Sequence, residues 1–181
     1  MFGPLLRGAA VTLRPPDESD PARFIPWLSD LEVTRFLGNR YQAFALFQEE
    51  EWFKKIGESK DDVVWIVEAE GRVIGSTGIH RIDWHHARGV TGMLIGDKTA
   101  WHKGYATEAI RLRTEYAFLQ LNLHKLSTET YAENEPIRLA LMRSGYREVG
   151  IAREHLFSEG RWHDAWHAEV LRGDWDAARR D

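Results

Sequence analysis

Cysteine is absent from the 181-residue chain. That excludes disulfides, thiolate metal sites and any route carrying an acyl group on an enzyme thiol. No run of about 18 apolar residues exists to span a bilayer, and MFGPLLRGAA is too short and too broken by Gly, Pro and Arg to read as a secretion signal. A soluble, cytoplasmic protein with no membrane partner is the expectation. Long blocks of one charge are also missing: 24 Lys and Arg stand against 28 Asp and Glu, a formal charge of -4 spread along the chain. Phosphate backbones need a concentrated basic face, so nucleic acid is excluded as the main partner. No repeat, linker or low-complexity stretch interrupts the sequence, and 43% hydrophobic and 12% aromatic residues supply one sizeable core. A single domain over residues 1–181 follows.

What is present reads as alternating strands and helices. A short β-prone stretch, Ala10 to Leu13, ends at Pro15-Pro16, and Ser19 or Asp20 is placed to cap a helix carrying Phe24, Trp27, Leu28 and Leu31. A second helix is expected from about Ala43 to Gly57, with Phe44, Phe47 and Trp52 inward and Glu49, Glu50, Glu51, Lys54 and Lys55 on a charged outer face. Val63 to Ala69, Arg72 to Asp83 and Arg88 to Gly96 read as three hairpin-connected strands, separated by Glu70-Gly71 and by the Trp84-His85-His86-Ala87 corner. A long helix from Gly104 to Gln120 repeats Tyr105, Ala109, Leu112, Tyr116 and Leu119 on a stripe expected to face the core. Lys125 to Glu133 reads as a strand, Asn134 caps a short helix, and Gly145 ends it. Two last strands, Tyr146 to Phe157 and Arg161 to Leu171, are joined by Ser158-Glu159-Gly160, with Trp162, Asp164, Trp166, Ala168 and Val170 on one face of the second. The order gives an α+β or α/β chain around a mixed central sheet.

The most informative stretch places a strand end, Met93-Leu94-Ile95-Gly96, shortly before a helix start, Gly104-Tyr105-Ala106-Thr107-Glu108-Ala109. Free amides and partial positive charge at a helix N-terminus attract anions, and glycine admits a pyrophosphate close to the backbone. Taken alone, Gly104 reads first as a plain strand-to-helix turn. The whole segment MLIGDKTAWHKGYATEAI, however, resembles the acyl-CoA pyrophosphate segment of the GNAT superfamily, usually I-G and then W-G-K-G-Y-A-T-E-A. LRPPDESDPARFIPWLSDLEVTRFLG is similar to that family's opening strand and helix, GRVIGSTGIHRID to its third strand, and HKLSTETYAENEPIRLALMRSGYREVG to its adenine-side segment. GIAREHLFSEGRWHDAWHAEVL resembles the C-terminal hairpin of the branch holding the ribosomal-protein N-terminal acetyltransferases and the polyamine acetyltransferases.

The resemblance implies a three-layer α+β fold: about seven strands in a mixed sheet, flanked by about four helices, with one parallel pair splayed apart. It implies acetyl-CoA as co-substrate, with the backbone of Met93, Leu94 and Ile95 open to the pantetheine amides. The pyrophosphate would lie on the amides of Trp101, His102, Lys103, Gly104, Tyr105, Ala106 and Thr107. Asn134 would contact the amide arm, or simply cap its helix, and Arg143 would stand near the phosphates or in solvent. Two positions depart from the pattern at the loop: Thr99 replaces Arg or Gln, and His102 replaces the first Gly, a substitution the loop tolerates if His102 stays right-handed. Two more depart at the chemistry. Ile137 stands where the branch often has a thiol-side Ser, and Leu141 where other branches have Tyr.

In the implied reaction a neutral amine attacks the thioester directly, a strand N–H stabilises the oxyanion, and CoA thiolate leaves. An alkylamine has a pKa of roughly 10, so a base must take its proton, whereas a thiol near about 8.5 departs with little help. Candidates for the proton path are His80, Asp83, Glu129, Tyr131 and Glu154, each also readable as a surface or turn residue. Asp164 reads as a buried hydrogen-bonding group. His163 and His167, four apart on a strand, stand about 13 Å from each other, too far to share a metal. His85-His86 has no partner carboxylate at metal spacing, so no metal is expected. Trp27, Trp52 and Trp84 are expected to line the acceptor groove. Acceptors within this class are a protein N-terminus, a polyamine, an aminoglycoside or a similar small amine; a homodimer through exposed helix or strand edges is compatible. From another class, a degenerate acyl-CoA sensor or interaction module also fits the missing Ser.

Overall fold

The computed structural model describes residues 1–179. Its elements run β1 (Leu6–Arg7), β2 (Val11–Arg14), α1 (Asp20–Leu28), α2 (Leu46–Glu58), β3 (Val63–Ala69), β4 (Arg72–Asp83) and β5 (Arg88–Ile95). A 3-10 turn (Lys98–Ala100) leads to α3 (Tyr105–Leu119), β6 (Lys125–Tyr131), α4 (Glu135–Met142), β7 (Arg147–Ser158), β8 (Arg161–Leu171) and α5 (Arg172–Ala178). The β-branched run VVWIVEA buries nearly every residue of β3, the mark of a central strand covered on both faces. Two-residue turns join β3 to β4 and β7 to β8. Glu70 and Gly71 (φ 52° and 74°) and Glu159 and Gly160 (φ 52° and 76°) take the left-handed conformations that a tight hairpin requires.

The strands form one sheet in the order β1-β2-β3-β4-β5-β6-β8-β7. Every neighbouring pair is antiparallel except β5 and β6. Helix α3 covers one face, with Trp65 edge-on to Tyr116 at 5.2 Å. A second cluster, Phe24, Phe53 and Ile66, packs α1 and α2 on the other face. Between these layers Trp65, Ile79, Ile110, Phe118, Leu126 and Trp166 are fully buried.

Several expectations need correction. The mixed α+β sheet with one parallel pair is as expected, and among the described residues eight strands and five helices stand against about seven and about four. The additions are the two-residue β1 and α5, whose RGDWDAA sequence carries little helical signal beyond the buried Trp175. Leu31 lies beyond α1 and is exposed. In α2 the inward side is Glu49 and Phe53, while Phe47 is 68% and Trp52 39% exposed. In α3 the buried face is Ala109, Ile110, Arg113, Thr114, Ala117 and Phe118, and Leu119 faces solvent. Two polar residues on that face, Arg113 and Thr114, disguise it in the sequence.

Candidate active site

Strands β5 and β6 begin paired and then part. Their parallel register covers only Arg88↔Lys125, Gly89↔Leu126 and Val90↔Ser127, although β5 continues to Ile95 and β6 to Tyr131. At the parting point hydroxyls take over from amides: Thr91 Oγ1 donates to the Ser127 carbonyl at 3.2 Å and Thr128 Oγ1 to the Thr91 carbonyl at 3.1 Å. A hydroxyl reaching across a strand gap holds the backbones wider than an N–H···O bond does.

Beyond this clasp the peptide groups of β5 alternate between β4 and the gap. The Leu94 carbonyl faces β4, so close that a Cβ on Gly75 would lie 1.9 Å from it. Met93 and Ile95 therefore turn toward the gap. The Ile95 carbonyl accepts from Trp101 Nε1 at 2.9 Å, which anchors the following loop to the strand end. The Met93 amide and carbonyl and the Ile95 amide remain as an open strand edge.

The loop ends in a ring of free amides. Thr99 donates from both its amide and its hydroxyl to Asp97 Oδ1, closing the 3-10 turn, and the Trp101 amide donates to Lys98. His102 is left-handed, with φ 61°, so the right-handed expectation fails and the imidazole residue adopts the conformation a glycine would take. Gly104 is left-handed too, with φ 85°, and a Cβ there would meet nothing within 4 Å. The first backbone bond of α3 runs from Glu108 to Gly104, which leaves the amides of Tyr105, Ala106 and Thr107 without helical acceptors. Glu108 is committed elsewhere, accepting from the Ala10 amide at 3.0 Å. Lys103 Nζ and the Tyr105 hydroxyl both bind Glu70, at 3.0 and 2.6 Å, and with Arg72 they hold its carboxyl down at about 2. The loop therefore offers backbone rather than free side-chain charge. Arg143 caps α4 with an exposed side chain, and Ser144 beside it donates to the Thr107 carbonyl at 3.3 Å, placing α4's end against the start of α3. Asn134 stands at the N-cap of α4, but its side chain makes no capping bond; Nδ2 donates to Thr130 Oγ1 at 3.1 Å.

On the sheet face opposite α3, His80 pairs with Val90, the last residue of the closed part of the fork. Its ring lies over Gly78 and Gly92, glycines whose missing side chains make room for it. Nδ1 stands 3.1 Å from Asp62 Oδ1. Burial outweighs that carboxylate, and His80 is held below its ordinary value. Asp62 also accepts from Ser59 Oγ and the Arg81 amide and sits below its own ordinary value despite partial burial. Asp62 was not visible as a candidate in the sequence, since nothing local joins it to a histidine eighteen residues on.

The remaining candidates scatter. Asp83 fixes the β4–β5 turn, and hydrogen bonds from the His86 backbone and side chain hold its carboxyl down at about 2. Glu129 shares the His80 face, with His167 Nε2 at 3.5 Å and His155 Nε2 at 3.8 Å. Tyr131 is buried between Phe36 and His163, at 5.6 and 5.3 Å between ring centres. Glu154 occupies an irregular stretch of β7 with φ 50°, its amide donating to Asp164 Oδ1 at 2.9 Å. His163 and His167 bind different carboxylates, Glu133 and Glu129, and among the described residues no group of His, Asp and Glu is arranged to hold a metal. Trp27, on α1, packs over Gly96 on the same sheet face as His80, just past the end of β5; Trp52 stands against Phe53, and Trp84 donates to Asp61 at the closed end of the fork. Leu141 is core and Ile137 packs against it. A cavity of about 530 Å³ is lined by Phe2, Pro16, Pro21, Glu50, Phe53 and others around α1 and α2 and includes none of the fork residues.

The acetyltransferase (GNAT) domain model matches residues 10–147. Among curated relatives, the uncharacterized N-acetyltransferase YoaA of Bacillus subtilis is 26% identical over 168 residues, covering 89% of this chain and 93% of its own. The putative ribosomal N-acetyltransferase YdaF of the same organism is 29% identical over 61% of this chain and 60% of its own. Among solved structures, spermidine N-acetyltransferase from Vibrio cholerae, in complex with CoA and spermine, superposes with a TM-score of 0.84 at 22% identity, covering 93% of this chain and 99% of that one. At that identity the likeness is one of fold. No helix among the described residues is long and apolar enough to cross a membrane.

Proposed function

The chain belongs to the acetyltransferase (GNAT) family, and on that premise we propose that it transfers an acetyl group from acetyl-CoA directly to a primary amine. The observation that carries this reading is the juxtaposition of two unsatisfied backbone surfaces. One is the ring of amides at the start of α3; the other is the open β5 edge at Met93 and Ile95. The first suits a pyrophosphate, and the empty space over Gly104 admits it closely. The second suits the amides of a pantetheine arm. Bound there, acetyl-CoA supplies an activated acyl group and a good leaving group.

The protein's own residues then account for the rest. The Met93 amide opens on the gap where negative charge develops on the acyl oxygen. His80, with Nδ1–H donated to Asp62, keeps Nε2 unprotonated near neutral pH and is the group best placed to accept the amine proton. Asp83, already held ionised by its turn, is not needed. Glu129 stands further along the same face as a carboxylate able to attract a cationic amine. Arg143, whose side chain is exposed at the end of α4, completes the phosphate side. No thiol-side donor is required at Ile137 or Leu141, because thiolate is the easier leaving group.

Free thiol should be monitored with acetyl-CoA and a panel of spermidine, an aminoglycoside, and Ala- and Ser-initiated peptides. Thiol release that depends on one amine class is the expected result and names the acceptor. Heat of CoA binding in calorimetry with no thiol release from any amine would instead identify an acyl-CoA sensor. No CoA binding at all would defeat the reading.

A further inference from the structure

Arg113 is 1% exposed, in the middle of the buried face of α3. It has no carboxylate partner among the described residues, and its Nε lacks any hydrogen-bond acceptor. A buried guanidinium without a counter-ion is costly, and replacing it with an apolar side chain is often harmless to stability. Its contacts point to a different use. Nη1 donates to Thr77 Oγ1 at 2.6 Å and to the Gly92 carbonyl at 2.9 Å, while Thr77 Oγ1 donates to the same carbonyl at 3.0 Å. Nη2 lies 3.4 Å from the Tyr146 hydroxyl, itself 3.4 Å from Thr91 Oγ1 in the fork clasp.

The Gly92 carbonyl and the Met93 amide are the two ends of one peptide group. Donors at the carbonyl end draw electron density from the nitrogen and make the N–H at the other end a stronger donor. A charged donor does so more than a neutral one. We propose that Arg113, assisted by Thr77, is a positioning residue for acyl transfer: it polarises the Gly92–Met93 peptide so that the Met93 N–H binds the developing oxyanion more tightly. The proposal rests on the acyl-transfer reading above and adds to it the group that tunes its oxyanion donor. It also accounts for a charge kept in the core with no partner. The guanidinium's influence crosses the sheet, since it is among the groups that depress His80.

Met93 is one of three methionines in the chain, so selective ¹⁵N-methionine labelling isolates its amide. In Arg113→Leu the Met93 ¹⁵N resonance should move upfield in the unliganded protein. With ¹³C-carbonyl S-acetonyl-CoA as a ketone probe, the carbonyl stretch should rise in frequency relative to wild type. CoA affinity by calorimetry and KM for the amine should change less than about twofold, and kcat should fall about tenfold, less than the ~100-fold or more that follows outright loss of an oxyanion donor. Arg113→Lys should recover part of each change. Should Arg113→Leu fail to fold, Thr77→Val carries the same readouts with smaller shifts. An unmoved Met93 resonance, or a lost kcat with the carbonyl frequency at its wild-type value, overturns the proposal. If wild type binds no CoA probe, the acyl-transfer reading fails instead, and the Met93 resonance still decides whether Arg113 polarises that peptide.

Discussion

As the base proposed above, His80 would couple the acid side of the pH scale to both rate and stability. Its folded-state value lies below the ordinary 6.5 because burial disfavours the imidazolium. The fold is therefore penalised when the ring protonates: its contribution is fully present above the unfolded value and is lost as pH falls through the lower, folded value. The acid limb of kcat/KM should lie below pH 6.5, the melting temperature should begin to drop in the same window, and His80→Gln should remove both features while lowering kcat about 100-fold. A rate profile whose acid limb survives in His80→Gln would exclude this residue as the base. His102 presents the opposite case, strain with no evident partner. A left-handed non-glycine residue costs about 1–2 kcal/mol, partly offset by the extra chain entropy of an unfolded glycine. His102→Gly should thus stabilise by about 0.5–1 kcal/mol, a rise of roughly 1–4 °C in melting temperature for a chain of this size. His80 could be named as a candidate from the sequence because it lies near the end of a strand; Asp62 and Arg113 could not. One lies on a loop that only the tertiary fold brings near, and the other is a charge on what the sequence presents as a solvent face.

Strands bounded by clear turn signals were read almost to the residue: β3, β4 and β8 match their expected bounds, and β5 ends one residue early, at Ile95. Helices fared worse in their faces than in their positions. In α3 the expected stripe lies at the margin of the buried face: Tyr105, Leu112 and Tyr116 pack against the core partly exposed and Leu119 faces solvent, while buried hydrogen bonds let Arg113 occupy a core-facing position between Ile110 and Phe118. The fork itself depends on two threonines that read in the sequence as ordinary strand formers. Each of their hydroxyl bonds contributes about 0.5–1.5 kcal/mol. Thr91→Val with Thr128→Val should therefore destabilise by about 1–3 kcal/mol in denaturant unfolding, and CoA should bind more weakly in calorimetry. Unchanged affinity would show that the strands diverge without the clasp.

At the scale of the molecule, layer order and the strand-to-helix turn before α3 followed from the sequence. The width of the gap did not, because it arises between segments 37 residues apart, at Thr91 and Thr128. Among the described residues, β1 to β5 are joined to the β6-β8-β7 lobe of the sheet through three residue pairs, that clasp, a Ser127 hydroxyl on the Gly89 carbonyl and the His124 and Lys125 amides on the Ala87 carbonyl, all at one end. The sheet therefore carries a seam, and its free edge belongs to the chain's most central strands rather than to its rim. Amide hydrogen exchange should find Met93 and Ile95 fast without ligand, although both neighbour fully protected residues, and slow once CoA is bound. Equal protection in both states would mean that the ligand does not close the seam; unequal protection would make it a ninth strand in all but covalent connection.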